Sequence, residues 1–117
     1  MNTRFLIITL VSMLLSLHAP SATALTMKQV SEICHSSPGR CSEHPIIQAY
    51  VGGALDLLAT LDERTDYLKK VYCKPKKLFD VPTIIRYMEQ RSKQYAKDNA
   101  MLVLIRYFEE HGGCKHE

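Results

Sequence analysis

Several things are missing from this sequence, and each absence removes a class of protein. No apolar run reaches the roughly 20 residues a helix needs to cross a membrane. The longest, residues 5–17, is about 13 residues long and already contains Thr9, Ser12 and Ser16. No segment alternates apolar and polar residues as a strand would, and no segment repeats another. There is no Ser-His-Asp arrangement, no H-E-x-x-H, no phosphate-cradling glycine loop and no C-x-x-C-H haem signature. At 117 residues the chain is too short for two domains or a large nucleotide-binding sheet. Fifteen Lys and Arg against 12 Asp and Glu leave a net charge of only +3, which is no strong basic surplus for nucleic acid. At 46% hydrophobic and 23% charged, the chain is also not a disordered tail.

What is present begins with an export signal. Arg4 precedes the apolar run, and Ala22-Thr23-Ala24 follows it as an A-x-A cleavage site. Residues 1–24 are expected to be a cleaved signal peptide, leaving residues 25–117 as one helical domain with a charge near +2. No membrane association is expected after cleavage.

All four cysteines, Cys34, Cys41, Cys73 and Cys114, lie in that domain. An even number in a small exported chain reads as a disulfide framework. Four cysteines allow three pairings, and chain geometry suggests one of them. His35-Ser36-Ser37-Pro38-Gly39-Arg40 is turn chemistry that lets Cys34 meet Cys41. Cys73 and Cys114 flank the last two helical patterns and meet if those form an antiparallel hairpin. Loop-closure entropy gives the short bridge about 2.5 kcal/mol and the long one about 4 kcal/mol. The competing reading, a metal site from Cys34, His35, Cys41 and His44, lacks a zinc-like spacing. No metal or other cofactor is expected.

The domain reads as all-α, a small disulfide-bonded bundle of four to five helices. Thr26 and Gln29 form a capping box for a short helix ending near Cys34. A second helix starts near Ser42 to Pro45 and carries Ile47, Tyr50, Val51, Ala54, Leu58 and Leu61 at helical spacing. Gly52-Gly53 within it reads as a close approach by another helix, or as a kink. Residues 62–68 are either a short third helix or an exposed turn, with Tyr67 and Leu68 as anchors. Asp80 caps a helix with Pro82 in its first turn and Ile84, Ile85 and Met88 as its stripe, fading near Tyr95. Asp98 is expected to cap the last helix, which runs to His111 and stops at Gly112-Gly113. That helix contains the apolar run Ala100-Met101-Leu102-Val103-Leu104-Ile105, followed by Tyr107 and Phe108. Either it is the centre of the bundle, or Met101, Leu102, Ile105 and Phe108 are partly covered by a second subunit in a symmetric homodimer.

No catalytic constellation emerges, and the chain is not expected to be an enzyme. Asp56 lies in an apolar helix, a position more often exposed or hydrogen-bonded than catalytic. Glu109-Glu110-His111 reads as a solvated helix end. Lys69, Lys70, Lys74, Lys76 and Lys77 fall within nine residues, with Tyr67 and Tyr72 among them. They form either a solvated surface or a patch that steers an acidic partner.

Tyr50-Val51-Gly52-Gly53-Ala54-Leu55-Asp56 fits the pattern Y-V-x-G-x-x-D, in a helix preceded by two cysteines. Tyr72-Cys73-Lys74-Pro75 fits an aromatic-C-x-P step about twenty residues later, and the last helix closes on Phe108 and Cys114. In this order and spacing the chain resembles the Rap/Tai group of type VI secretion immunity proteins, over nearly the whole mature length. It departs from that group at Arg91-Ser92-Lys93-Gln94, where members usually have His-Pro, and at His111-Gly112-Gly113-Cys114, where they often end in Phe-Pro-Cys.

The resemblance implies a small helical, disulfide-bonded periplasmic protein, commonly a homodimer, that performs no chemistry. It implies as partner a peptidoglycan amidase effector, a papain-like hydrolase of the NlpC/P60 kind injected by sibling cells, whose cleft the immunity protein blocks. Tyr50, Gly53 and Asp56 carry the structural motif. Contact residues are read from composition instead. One surface is residues 66–77, with Tyr67, Lys70, Tyr72, Lys74, Lys76 and Lys77, since tyrosines are favoured interface anchors. The other is residues 86–97, with Tyr87, Gln90, Arg91 and Tyr95. The alternative is a small helical acid-stress chaperone resembling HdeA-like proteins, although such proteins usually carry one disulfide. A structural or lipid-binding module is a third class.

Overall fold

Capping residues and turn chemistry divide the chain into five α-helices and one 3-10 turn among the residues that the computed structural model describes, 24–74 and 79–114. In order these are α1 (Met27–His35), the 3-10 turn Cys41–Glu43, α2 (Pro45–Thr65), α3 (Tyr67–Val71), α4 (Val81–Arg91) and α5 (Ala100–His111). An isolated bridge pairs Thr26 with Asn99, and no strand forms among the described residues. The fold is therefore the expected all-α bundle. Apart from Ala24, the expected signal peptide lies outside the described residues, as do Lys76 and Lys77.

The start of α1 is tied down by local chemistry. Thr26 and Gln29 make the expected capping box. The next free N–H groups find carbonyls in the turn before α5: Met27 donates to Asp98 at 2.9 Å and Lys28 to Ala96 at 2.9 Å. Ala100 returns a bond to the Leu25 carbonyl at 2.8 Å. The helix-end donors that would otherwise be orphaned thus join both ends of the domain.

Both disulfides form as chain geometry suggested, Cys34 with Cys41 and Cys73 with Cys114. They are compatible with an oxidising, exported compartment. The described residues contain no helix long and apolar enough to cross a membrane.

Helix α2 buries Ile47, Val51 and Leu55, with Tyr50, Ala54 and Leu58 half-buried against the same core. It continues past the expected end, because Asp62 faces inward and works as a connector. Asp62 is buried, and its carboxylate accepts from the Leu68 backbone N–H at 2.8 Å, which begins α3. Between the two helices Asp66 adopts φ 52°, the left-handed region that short polar side chains tolerate. The expected short third helix thus forms, but at Tyr67–Val71, while residues 62–66 are the end of α2 and the joint before it. Leu68 is the buried anchor there, while Tyr67 faces solvent.

Helix α4 is capped by Asp80, which accepts from the Thr83 backbone N–H at 3.0 Å. Ile84, Ile85, Tyr87 and Met88 are buried. The helix ends at Arg91, and turns rather than helix carry the chain past Tyr95. Two expectations near α5 are corrected. Its cap is Asn99, whose side chain accepts from Met101 at 2.9 Å, and not Asp98, whose carbonyl serves α1. Nor is α5 wholly central: Ala100, Val103, Leu104 and Phe108 are buried, but Leu102 is 55% exposed.

The close approach expected at Gly52-Gly53 occurs elsewhere. A Cβ on either glycine would meet nothing within 4 Å. At Gly112 a Cβ would lie 1.9 Å from the Val71 carbonyl oxygen and 2.9 Å from Tyr72 Cα. There the end of α5 is pressed against the end of α3, the Cys73 N–H bonds the Gly112 carbonyl at 2.9 Å, and the Cys73–Cys114 bridge closes the contact. Gly113 then takes φ 73°, the left-handed conformation that ends a helix. Gly112→Ala should lower the unfolding free energy in urea by about 2 kcal/mol or more, because backbone must move. Gly53→Ala in the same assay should raise it by about 1 kcal/mol, the helical preference of alanine.

Candidate binding surfaces

Two surfaces stand out, on different sides of α5. The first is apolar. Ala54, Leu57, Leu58 and Leu61 of α2 face Met101 and Ile105 of α5, and Tyr67 and Lys70 of α3 close one end. The surface consists of adjoining depressions of about 490 and 120 Å³ that share Leu58 and Ile105. Leu57 and Leu61 are 60% and 44% exposed, unusual for leucines on one helix face. Gly53 lies on that same line, four residues before Leu57 and eight before Leu61, so the strip is flat where it begins. Leu61 therefore does not belong to the core stripe in which its spacing placed it.

The second surface is a groove of about 300 Å³ between α4 and α5, lined by Thr83, Arg86, Tyr87, Gln90, Arg91, Tyr107 and His111. Tyr107 and His111, one turn apart on α5, are stacked with ring centres 4.9 Å apart and planes 15° apart. Tyr87 meets both rings edge-on, at 5.3 and 5.4 Å. The Arg91 guanidinium sits 3.7 Å from the centre of the Tyr87 ring and bonds the Glu110 carboxylate at 3.0 Å. A cation–π contact and an ion pair thus both hold one arginine.

The sequence-derived contact residues divide accordingly. Gln90 and Arg91 border the groove, with Gln90 exposed and Arg91 partly so. Tyr67 and Lys70 border the apolar surface and Lys74 is exposed. Tyr95 is half-buried beneath the Arg106 guanidinium, 4.9 Å from its ring centre. Two tyrosines are corrected as surface anchors. Tyr72 is 7% exposed, packed against Phe79 and Phe108 at 4.9 and 5.5 Å. Tyr87 is 5% exposed and forms the groove's floor, not a protruding side chain. Of the possible dimer or core residues, Phe108 is core, Met101 and Ile105 are half-buried on the apolar surface, and Leu102 stands free beside them.

In the structural motif, Tyr50 is half-buried while Gly53 and Asp56 are exposed. The lysine cluster is partly neutralised: Lys69 pairs with Asp66, which pushes its ammonium pKa above the ordinary value. Cys34 and Cys41 are bonded to each other and so offer no thiolates to a metal, and no group of three or more metal-binding side chains occurs among the described residues.

Sequence reasoning passed over Leu57, Thr83 and the pairing of Tyr107 with His111, and it included Arg86 only as the first residue of the 86–97 surface. The available signal was spacing: Tyr87 with Arg91 and Tyr107 with His111 are i,i+4 pairs on neighbouring helices.

No family model, curated protein or solved structure matches this chain.

The Tyr87 hydroxyl is buried without a hydrogen bond of normal geometry. Burial first, and the nearby Glu110 carboxylate second, push its pKa from 10 to about 12, with Arg91 opposing. Because the folded value is the higher one, this contribution to stability is complete below pH 10 and is lost as the pH rises from 10 toward 12. In a phenolate absorbance titration Tyr87 should be the last tyrosine to ionise. Tyr87→Phe should remove that final phase.

Proposed function

We propose that this chain is a periplasmic immunity protein that binds a peptidoglycan amidase injected by type VI secretion and blocks its active-site cleft. The amidase class is the papain-like NlpC/P60 kind. The observation that carries this reading is the order of the framework. A short helix and the Cys34–Cys41 bridge precede a long helix bearing Tyr50, Gly53 and Asp56. Cys73 follows, and a last helix returns to join it through Cys114. This is the arrangement the resemblance implies.

Physical considerations agree. A stoichiometric inhibitor loses less entropy on binding if it is already rigid. Two disulfides and the capped helix ends supply such rigidity. In this reading the protein performs no chemistry and uses its surfaces. The apolar strip of Leu57, Leu61, Leu102 and Ile105 pairs with a second copy, and the polar groove between α4 and α5 stays open for the toxin. Gly53, where a Cβ would meet nothing within 4 Å among the described residues, then permits close contact between the two α2 helices. The exposed leucines also favour a second reading, a client-binding acid-stress chaperone, which would hold many unfolded proteins at low pH.

The test is rescue from toxicity. A periplasm-directed amidase of the NlpC/P60 kind, ideally one encoded beside this gene, is expressed with the full-length protein or with a version beginning at Leu25. Growth should be restored only by the exported form, and the purified proteins should form a stable complex at neutral pH. Absence of both rescue and binding would reject the pairing. Suppression of aggregation of unrelated clients at low pH would favour the chaperone. For self-association, sedimentation should give a dimer for the mature protein and a folded monomer for Leu57→Lys with Leu61→Glu. A monomeric parent would reject the dimer.

A further inference from the structure

We infer that the groove between α4 and α5 receives a carboxylate side chain, an aspartate or glutamate presented by a protein partner. This rests on the reading that the protein acts by binding another protein, and it names the chemistry that the partner must offer. The seven residues lining the groove include two arginines, a histidine and a glutamine, and no carboxylate. Within the groove Arg86 is bonded only to the neutral Thr83 hydroxyl, while Arg91 is paired with Glu110, which lies outside the lining.

The two guanidinium groups differ in a useful way. Arg91 is held by both the Tyr87 ring and Glu110, so its orientation is restrained before any ligand arrives. Arg86 is 53% exposed and loosely held. Its Nη2 donates to the Thr83 hydroxyl at 2.7 Å, while Asp80 Oδ2 is 3.9 Å away. That same Asp80 oxygen already accepts from the Thr83 backbone N–H and hydroxyl, so it competes weakly for Arg86. A guanidinium offers more donors than this arrangement uses, and its planar fork matches a carboxylate. Gln90, one turn beyond Arg86 and exposed at the groove, adds an amide donor with no hydrogen bond of its own among the described residues. The stacked rings of Tyr107 and His111 form the far wall, an apolar surface for the methylene stem of an acidic side chain.

These features together favour a side-chain carboxylate over a free inorganic anion. The donors lie beside an aromatic wall that only a ligand with an apolar stem can use. The groove, about 300 Å³, also has room for a side chain rather than a bare ion alone.

The first arm of the test uses N-acetyl-L-glutamate as probe on the isotope-labelled mature protein, followed by two-dimensional NMR. Saturable shifts should appear at the Gln90 side-chain amide and the Arg86 and Arg91 Nε–H signals. N-acetyl-L-glutamine and inorganic phosphate, at equal ionic strength, should bind about tenfold more weakly. Arg86→Gln, an exposed site that should not disturb folding, should weaken the glutamate response about tenfold, with Lys28→Gln on α1 as the unaffected control. Shifts that are absent, dispersed over the surface or equally strong with phosphate would overturn the inference.

The second arm uses the amidase of the rescue test. If it binds the parent protein, Arg86→Glu should weaken the complex at least tenfold, and an unchanged affinity would overturn the inference. If the amidase does not bind the parent at all, the proposed function fails, while the glutamate titration still decides the chemistry of the groove.

Discussion

The contact between the end of α5 and the end of α3 governs the arrangement of the rest. Three interactions converge within three residues: a glycine too close to a neighbouring backbone to carry a side chain, a backbone hydrogen bond from Cys73 to Gly112, and the Cys73–Cys114 bridge. Closing a loop of 41 residues removes denatured-state entropy equivalent to about 4 kcal/mol. A domain this small has a modest core, and its whole stability is of the order of 5–15 kcal/mol. Without the clamp, Phe108 would lose its fixed position against Tyr72 and Phe79, and α5 its register against α4 and α2.

Both candidate surfaces depend on that register, because α5 contributes to each. One side of the helix offers Met101 and Ile105 to the leucine strip of α2. The other offers Tyr107 and His111 to the groove beside α4. A rotation of α5 by one residue, about 100°, would remove both surfaces together. The long apolar run in α5 has a simple explanation in these terms. Its neighbours α1, α2 and α4 and the aromatic cluster near α3 cover Ala100, Val103, Leu104 and Phe108, and of the apolar run Leu102 is left exposed. A run that is apolar nearly all round need not signify a helix buried all round.

The fate of the tyrosines illustrates the limit of reasoning from composition. Tyr67 and Tyr72 sit in one basic stretch and look equivalent in sequence. One is at the surface, and the other fills the core beneath Phe108, because the chain leaves helical geometry after Val71 and turns the next side chain inward. Tyr87 stood out in the sequence as an interface candidate, but nothing local showed that it would be buried. Its partner rings come from α5, twenty or more positions away in the chain.

The sequence by itself determined what local chemistry controls. Helix periodicity, the Thr26–Gln29 box, the Asp80 cap, the Gly112-Gly113 stop and the turn between Cys34 and Cys41 each depend on a few neighbouring residues. Helix class followed from them, and they suggested the disulfide pairing, whose longer bridge needed the tertiary fold to bring Cys73 and Cys114 together. Tertiary structure alone decided which glycine is pressed against backbone, which leucines of α2 remain outside and which rings meet across α4 and α5. It also decided that Asp62 joins two helices, when spacing alone had suggested a break. These outcomes depend on how helices are placed against one another, and that placement is set by contacts between residues far apart in the chain.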